Sequence, residues 1–322
     1  MSADLEPRDW TSLDPWWAAY AQSQPLTENA GQARVFDLTW LAECHEEIDE
    51  WWEVYTEGDE TAKELKTLLA RSDDEWAQSE APFNTDPLSV DLTDERFRRG
   101  PLQPSNELGW SNWLARLLNP SGDFVSELFD SEMSEPPNEV LREERVPDTD
   151  GGHWRPDILL LGAENGISIE VKLDDTNYEK TSDTAARVEE EYQDRAWTHV
   201  LLLPKNKRGR LESIVEPPVE RSSDGLPRVH WERPGTVRVM YWRDVTAALR
   251  SLLLRGAIVD DHWAANAYLF CTVAEQQRVG FQPRPVVDRL ANPGDVVDAI
   301  QPIRIADILE EQLTYLRETV EA

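Results

Sequence analysis

Residues 155–172 read RPDILLLGAENGISIEVK, and the way this stretch pairs with itself decides the fold. Its second half alternates. Ile167, Ile169, Val171 and Leu173 fall on one side, and Ser168, Glu170, Lys172 and Asp174 on the other. A period of two with β-branched residues predicts a half-buried strand. Asp157 to Leu161 is a short apolar run behind a proline and predicts a second strand. Residues 162–166, Gly-Ala-Glu-Asn-Gly, carry turn chemistry, so the two strands are expected to form a hairpin. A four-residue loop over 162–165 sets Asp157 directly opposite Glu170. A tighter turn at Asn165-Gly166 sets the two diagonally. Either register keeps Asp157, Glu170 and Lys172 on one face, because side-chain parity is preserved.

Two carboxylates at that separation repel, and a divalent cation relieves the cost. A site of two carboxylates, waters and substrate phosphates suits magnesium. A lysine beside the metal steadies an attacking water or the charge on a phosphate in flight. The bland alternative is a hairpin whose outer face carries an ordinary Glu–Lys ion pair.

Asp157 followed by Glu170-Val171-Lys172 resembles the PD-(D/E)XK nuclease superfamily, with Pro156-Asp157 matching the "PD". A second stretch extends the resemblance. Pro104-Ser105-Asn106-Glu107 predicts a helix start capped by Ser105 or Asn106. Trp110, Trp113, Leu114, Leu117 and Leu118 then form an apolar face, and Asn119-Pro120 ends it. This run, NELGWSNWLARLLNP, is similar to the glutamate-bearing first core helix of many members, departing where Trp110-Ser111 stand in place of the family's Thr. A Glu in the first turn also suits the helix dipole on its own. The resemblance implies an α/β fold: a restriction-endonuclease-like mixed β-sheet core flanked by helices, with helical N- and C-terminal regions. It implies a Mg2+-dependent nuclease, with Mn2+ as a substitute, acting on nucleic acid, with DNA expected. The metal would be held by Asp157 and Glu170, helped by Glu107 and the Val171 carbonyl, with Lys172 as the catalytic cation.

Composition sets the surroundings. The chain has 322 residues and a formal net charge of −31. Acidic residues are spread along it, a pattern read as adaptation to a very salty cytoplasm, where screening relieves self-repulsion. Disorder is disfavoured by 14 tryptophans and strong apolar periodicity. Cys44 and Cys271 make no disulfide framework, which fits a reducing cytoplasm, the expected location. The N-terminus MSADLEPRDW has neither a basic nor an apolar leader region, so no signal peptide is expected. No apolar run reaches bilayer length, so no membrane partner is expected. A polyanion binds nucleic acid only where positive charge is local. Lys205, Lys207, Arg208 and Arg210 form the densest basic run and are the expected backbone-contacting residues.

Three regions are expected: a helical, Trp-rich region over 1–95, the nuclease-like core over 100–255, and a helical region over 256–322. In the first, Trp40, Leu41, Cys44, Ile48, Trp51, Trp52 and Tyr55 recur at helical spacing. Cys44-His45 lacks zinc partners at the right spacing. Trp16-Trp17 and Trp51-Trp52 suit core packing or base stacking. Residues 81–103 are expected to be a linker, with Arg96, Arg98 and Arg99 within it as either phosphate-backbone contacts or a solvated run. Further on, Phe124, Val125, Leu128 and Phe129 predict a short helix, 139–146 a strand, and Asp148 to Gly152 a turn. Glu179 to Arg195 predicts a helix and His199–Leu203 a buried strand parallel to the hairpin's second strand, a βαβ crossover. Residues 211–235 are expected to be loop, 237–241 a strand, 242–254 a helix. Helices follow from Asp261, the last with an apolar stripe of Ile308, Leu309, Leu313 and Leu316 that docks on its own domain or makes a homodimer. Two other classes of function compete: a catalytically silent nucleic-acid- or protein-binding module on the same fold, and a DNA-mimicking inhibitor.

Overall fold

The computed structural model describes residues 38–93, 104, 106–130, 135–144, 146–147, 153–173, 178–214, 220–221, 227–294 and 296–320. Trp16-Trp17, Arg96, Arg98, Arg99, Ser105, the 148–152 turn and Asp174 lie outside them.

The expected hairpin is present as β4 (Ile158–Leu161) and β5 (Asn165–Val171). They pair antiparallel from Ile158↔Ile169 to Leu161↔Gly166, leaving a loop over 162–165 closed by Gly162 N–H to the Asn165 carbonyl at 2.8 Å. This is the four-residue register. Gly166 belongs to the strand and not to the turn, because the Trp197 ring lies against it: a Cβ there would sit 2.6 Å from Trp197 Cζ3.

Five further strands complete a seven-stranded mixed sheet. They are β1 (Glu139–Arg142), β6 (Ala196–Leu203), β7 (Glu220–Arg221), β8 (Pro227–His230) and β9 (Thr236–Tyr241), in the order β1-β4-β5-β6-β9-β8-β7. A separate pair, β2 (Val146–Pro147) and β3 (His153–Trp154), runs antiparallel. β5, β6 and β9 are mutually parallel and β4 and β8 antiparallel to their neighbours. The parallel step from β5 to β6 uses helix α4 (Glu179–Glu191), as a crossover requires.

Both sheet faces are covered. On one, Ile158, Leu160, Ile167, Ile169, Val171, Val200, Leu202 and Met240 join the main core. The helices over it are α2 (Glu107–Leu118), α3 (Gly122–Phe129), α6 (Trp242–Leu254) and α7 (Asp261–Ala274). On the other, Leu201, Leu203, Val237, Val239 and Tyr241 pack with Tyr178 and with Leu211 of α5 (Arg208–Ile214), while Leu159 and Leu161 pack with Val188 of α4. The strand expected to be half-buried is therefore buried on both faces: Ser168 is 5 % and Lys172 7 % exposed. Alternation records side-chain polarity, and the crossover helix has covered the polar side as well.

The flanking regions are tied together. Helix α1 (Leu38–Gln78) packs on α8 (Arg284–Leu290), α9 (Val296–Arg304) and α10 (Ala306–Val320). Leu65, Leu69, Leu309 and Leu316 form that core, so the C-terminal stripe docks on its own chain. The expected linker over 81–103 needs correction where it is described. Asp86 and Leu88 are buried, and Asp86 caps a short 3-10 turn over Pro87–Ser89. Arg250 of α6 donates to both oxygens of Asp86 at 2.7 and 2.6 Å and to Glu275 at 2.5 Å. Ser72 also donates to Asp86, and the Tyr315 hydroxyl to Glu275. The expected loop over 211–235 likewise holds the end of α5 and β7 and β8. Pro217, Pro218, Pro227 and Pro234 signalled loop, but Pro227 is the first residue of β8, a position where a strand tolerates proline.

Candidate active site at the carboxyl ends of the central strands

Chain geometry explains why four residues distant in sequence converge. β4 begins at Ile158, opposite Ile169. Amides two apart on β5 point to the same neighbour, so beyond Ile169 the N–H groups of Val171 and Leu173 face an edge where β4 has run out. Two acids satisfy them. Asp157 Oδ2 accepts from Val171 N–H at 2.7 Å, and Glu107 Oε1 accepts from Leu173 N–H at 2.7 Å. The intervening Lys172 N–H donates to the Leu202 carbonyl at 2.9 Å, prolonging the β5–β6 ladder. Glu107 reaches this point because Asn106 caps α2, accepting from Gly109 N–H at 2.9 Å, while Trp110, Leu114, Leu117 and Leu118 bury the rest of the helix.

The register puts Asp157 opposite Glu170, with Lys172 on the same face. Lys172 Nζ lies 2.8 Å from Glu170 Oε1, and both side chains are largely buried. Burial pushes the Asp157 carboxyl up to about 7, helped by repulsion from Glu170 and, less, from Glu107. The Val171 N–H and the Lys172 ammonium pull the other way. A carboxyl so poised marks functional sites more often than ordinary surfaces.

Asp157 and Glu170 offer hard oxygens in a desolvated place, with the Lys172 ammonium on Glu170 as the near positive charge, the donor chemistry that magnesium takes. Among the described residues no group of three or more His, Cys, Asp and Glu side chains stands close enough to hold a metal. Glu107 has an oxygen engaged by Leu173 N–H. A metal here would be held through the Asp157–Glu170 pair, with Glu107 beside it.

The basic run lies at the same end of the sheet, just past β6. It forms a 3-10 turn over Lys205–Lys207 and the start of α5. Lys205 pairs with Glu311 at 3.0 Å and Arg208 with Glu212 at 2.7 Å. Lys207 and Arg210 have no ion pair among the described residues. Sequence reasoning missed the clasp that Asp157 and Glu107 make on the end of β5. Its signal was present, since a strand outlasting its partner leaves amides at every second residue. His199, expected in the buried strand, is buried there and stacks on Trp197 with ring centroids 6.1 Å apart. No protein-family model matches this chain, and no curated protein matches it.

Proposed function

We propose that the chain is a metal-dependent nuclease with a restriction-endonuclease-like core, hydrolysing phosphodiester bonds of nucleic acid, with DNA the expected substrate. The observation that carries the proposal is the β4–β5 register. It brings Asp157 opposite Glu170, with Lys172 on the same face and ion-paired to Glu170. The Asp157 and Glu170-Val171-Lys172 pattern and the glutamate at the start of α2 resemble the PD-(D/E)XK superfamily, and the mixed sheet agrees with that resemblance.

Asp157, Glu170 and the Val171 carbonyl would hold Mg2+ or Mn2+, with Glu107 adjacent. When bound, the metal supplies a more acidic water and positive charge against the phosphate. Lys172, kept in place by Glu170, donates to the attacking water or to a phosphate oxygen as charge builds on it. Glu107 and Asp157 hold the end of β5 so that these groups do not drift. Lys207 and Arg210 bind the nucleic-acid backbone.

The alternative, a binding module on the same fold, has one observation in its favour: Asp157 and Glu107 already have a structural task in satisfying the β5 amides. Cutting separates the two. Plasmid, single-stranded DNA and RNA are incubated in about 2 M KCl, where screening opposes self-repulsion, with magnesium, manganese or EDTA. Metal-dependent cutting is expected, falling by roughly 100-fold or more in Lys172→Ala and Asp157→Ala. A folded wild type that cuts none of these substrates sinks the nuclease proposal in favour of the binding module.

A further inference from the structure

The acidic face of α10 meets the basic end of the sheet. Asp307, Glu310, Glu311 and Thr314 recur at three- and four-residue spacing and share one side of that helix, while Leu309, Leu313 and Leu316 dock its other side on α1. The acids share a cleft of about 260 Å³ with Lys205, in the turn after β6, and Arg243, in the first turn of α6. Glu311 spans the two cations: its Oε1 lies 3.0 Å from Lys205 Nζ and 3.7 Å from Arg243 Nη1. Lys205 and Arg243 follow strands that stand one and two places from β5, lateral offsets of about 5 and 10 Å from the acidic site.

Two observations mark this contact as replaceable. Glu311 Oε1 is buried but accepts no hydrogen bond among the described residues, so the attraction is one of charge without an aligned donor. The contact also borders open space. Lys205, Arg243 and Arg278 line a cavity of about 400 Å³ together with Asp307 and Glu311. An ion pair that only fastens a helix gains most from packing and hydrogen bonds, and this one lacks the hydrogen bonds and adjoins the cavity. Three acids within one helical turn also repel one another, a cost that Lys205 and Arg243 offset. A single anionic oxygen between a lysine and an arginine is what a backbone phosphate would present in the same place.

We propose that Glu311, flanked by Asp307 and Glu310, is an autoinhibitory counter-charge that holds the seat of a backbone phosphate between Lys205 and Arg243. A strand entering the cleft must displace the carboxylate, which turns towards solvent while α10 stays docked through its leucines. The inference rests on the nucleic-acid reading of the proposed function. It also divides the labour among the basic residues. Lys207 and Arg210, which have no ion pair among the described residues, make the first contact. Lys205 and Arg243 are gained only by a strand that outcompetes Glu311.

The test is binding in EDTA, followed by fluorescence anisotropy. The probes are a fluorescein-labelled single strand of DNA and its duplex. Binding is measured at about 2 M KCl and at the lowest KCl concentration at which the melting curves show every protein folded. Glu311→Gln is expected to bind about fivefold tighter than wild type at the lower salt, the scale of one partly exposed ion pair. At the higher salt the gain should shrink to at most about twofold, because screening weakens the carboxylate and the phosphate alike. Glu318→Gln removes the same charge from an exposed position on the same helix and is expected to leave affinity unchanged. In a Lys205→Met, Arg243→Met background, Glu311→Gln is expected to gain nothing. An unchanged or weakened affinity in folded Glu311→Gln, an equal gain in Glu318→Gln, a gain that survives in the Lys205→Met, Arg243→Met background, or no binding by any of the proteins overturns the inference. Should Glu311→Gln not fold, Asp307→Asn replaces it: affinity above that of Glu318→Gln supports the inference and equal affinity overturns it. Cutting of the same strands with magnesium is scored separately. Tighter binding by Glu311→Gln without cutting keeps the counter-charge and removes the nuclease; cutting with affinity unchanged in Glu311→Gln does the reverse.

Discussion

Asp157 carries the most consequential single charge. Its carboxyl titrates near 4 in an unfolded chain and at about 7 here, chiefly because it is buried and next because Glu170 repels it. The folded state therefore holds the proton more tightly than the unfolded state. That contribution is fully present below about pH 4 and is lost as pH rises through about 7. In EDTA at pH 8, Asp157→Asn is expected to be more stable than wild type by on the order of 2 kcal/mol. The amide keeps an oxygen for the Val171 N–H, and the difference should vanish near pH 3.5. Urea denaturation at the two pH values measures it. The same residue reports on the metal. About 10 mM magnesium at pH 8 should raise the melting temperature of wild type, by mass action on a site present only when folded, and leave that of Asp157→Asn nearly unmoved. A shift equal in both proteins would remove Asp157 from the metal site.

Among the elements, β5 and α6 concentrate the constraints. Gly166 faces the Trp197 ring at less than contact distance for a Cβ. Trp197 has little room to retreat, since it stacks on His199 and donates its Nε1–H to the Tyr192 carbonyl at 3.1 Å. Gly166→Ala is expected to cost about 1–3 kcal/mol, read as a lowered urea midpoint with unchanged slope. Helix α6 contributes Arg250, 1 % exposed, whose guanidinium joins Asp86 to Glu275. Its two counter-charges hold it firmly protonated against the cost of burial. Arg250→Met strands those carboxylates in the interior and should cost about 3–5 kcal/mol. Adding Asp86→Asn and Glu275→Gln to Arg250→Met should recover a measurable part of that loss in the same assay. The helix itself was legible: it was expected over 242–254, where it is found. The network was not, because its members lie 164 and 25 residues from Arg250, and pairing at that range leaves no local pattern.

For the whole molecule, net charge dominates. At −31 the chain repels itself, and that repulsion is larger in the compact state than in the expanded one. Raising KCl from about 0.1 to 2 M shortens the screening length from about 10 Å to below 3 Å and should raise the melting temperature steadily. A flat or falling curve would overturn the reading of the composition as salt adaptation. Positive charge survives locally at the carboxyl end of the sheet, where Lys172, Lys205, Lys207, Arg208 and Arg243 gather beside acids that answer several of them. Binding there must rest on shaped contacts more than on counterion release, which is weak at high salt.

By itself the sequence determined the elements and their faces. Alternation over 167–173 and the apolar face over 110–118 are properties of adjacent residues, so they can be read one window at a time. Parity alone assigned Asp157, Glu170 and Lys172 to one face. Only tertiary structure decided which hairpin register was adopted, that the polar face of β5 lies buried, and that Glu107 reaches Leu173 N–H. The physical reason is that loop closure, burial and charge desolvation depend on what arrives from elsewhere in the chain. Alanine, valine and tryptophan record their own preference for the interior, whereas a carboxylate's neighbours are fixed only once α2, β4 and β5 have met.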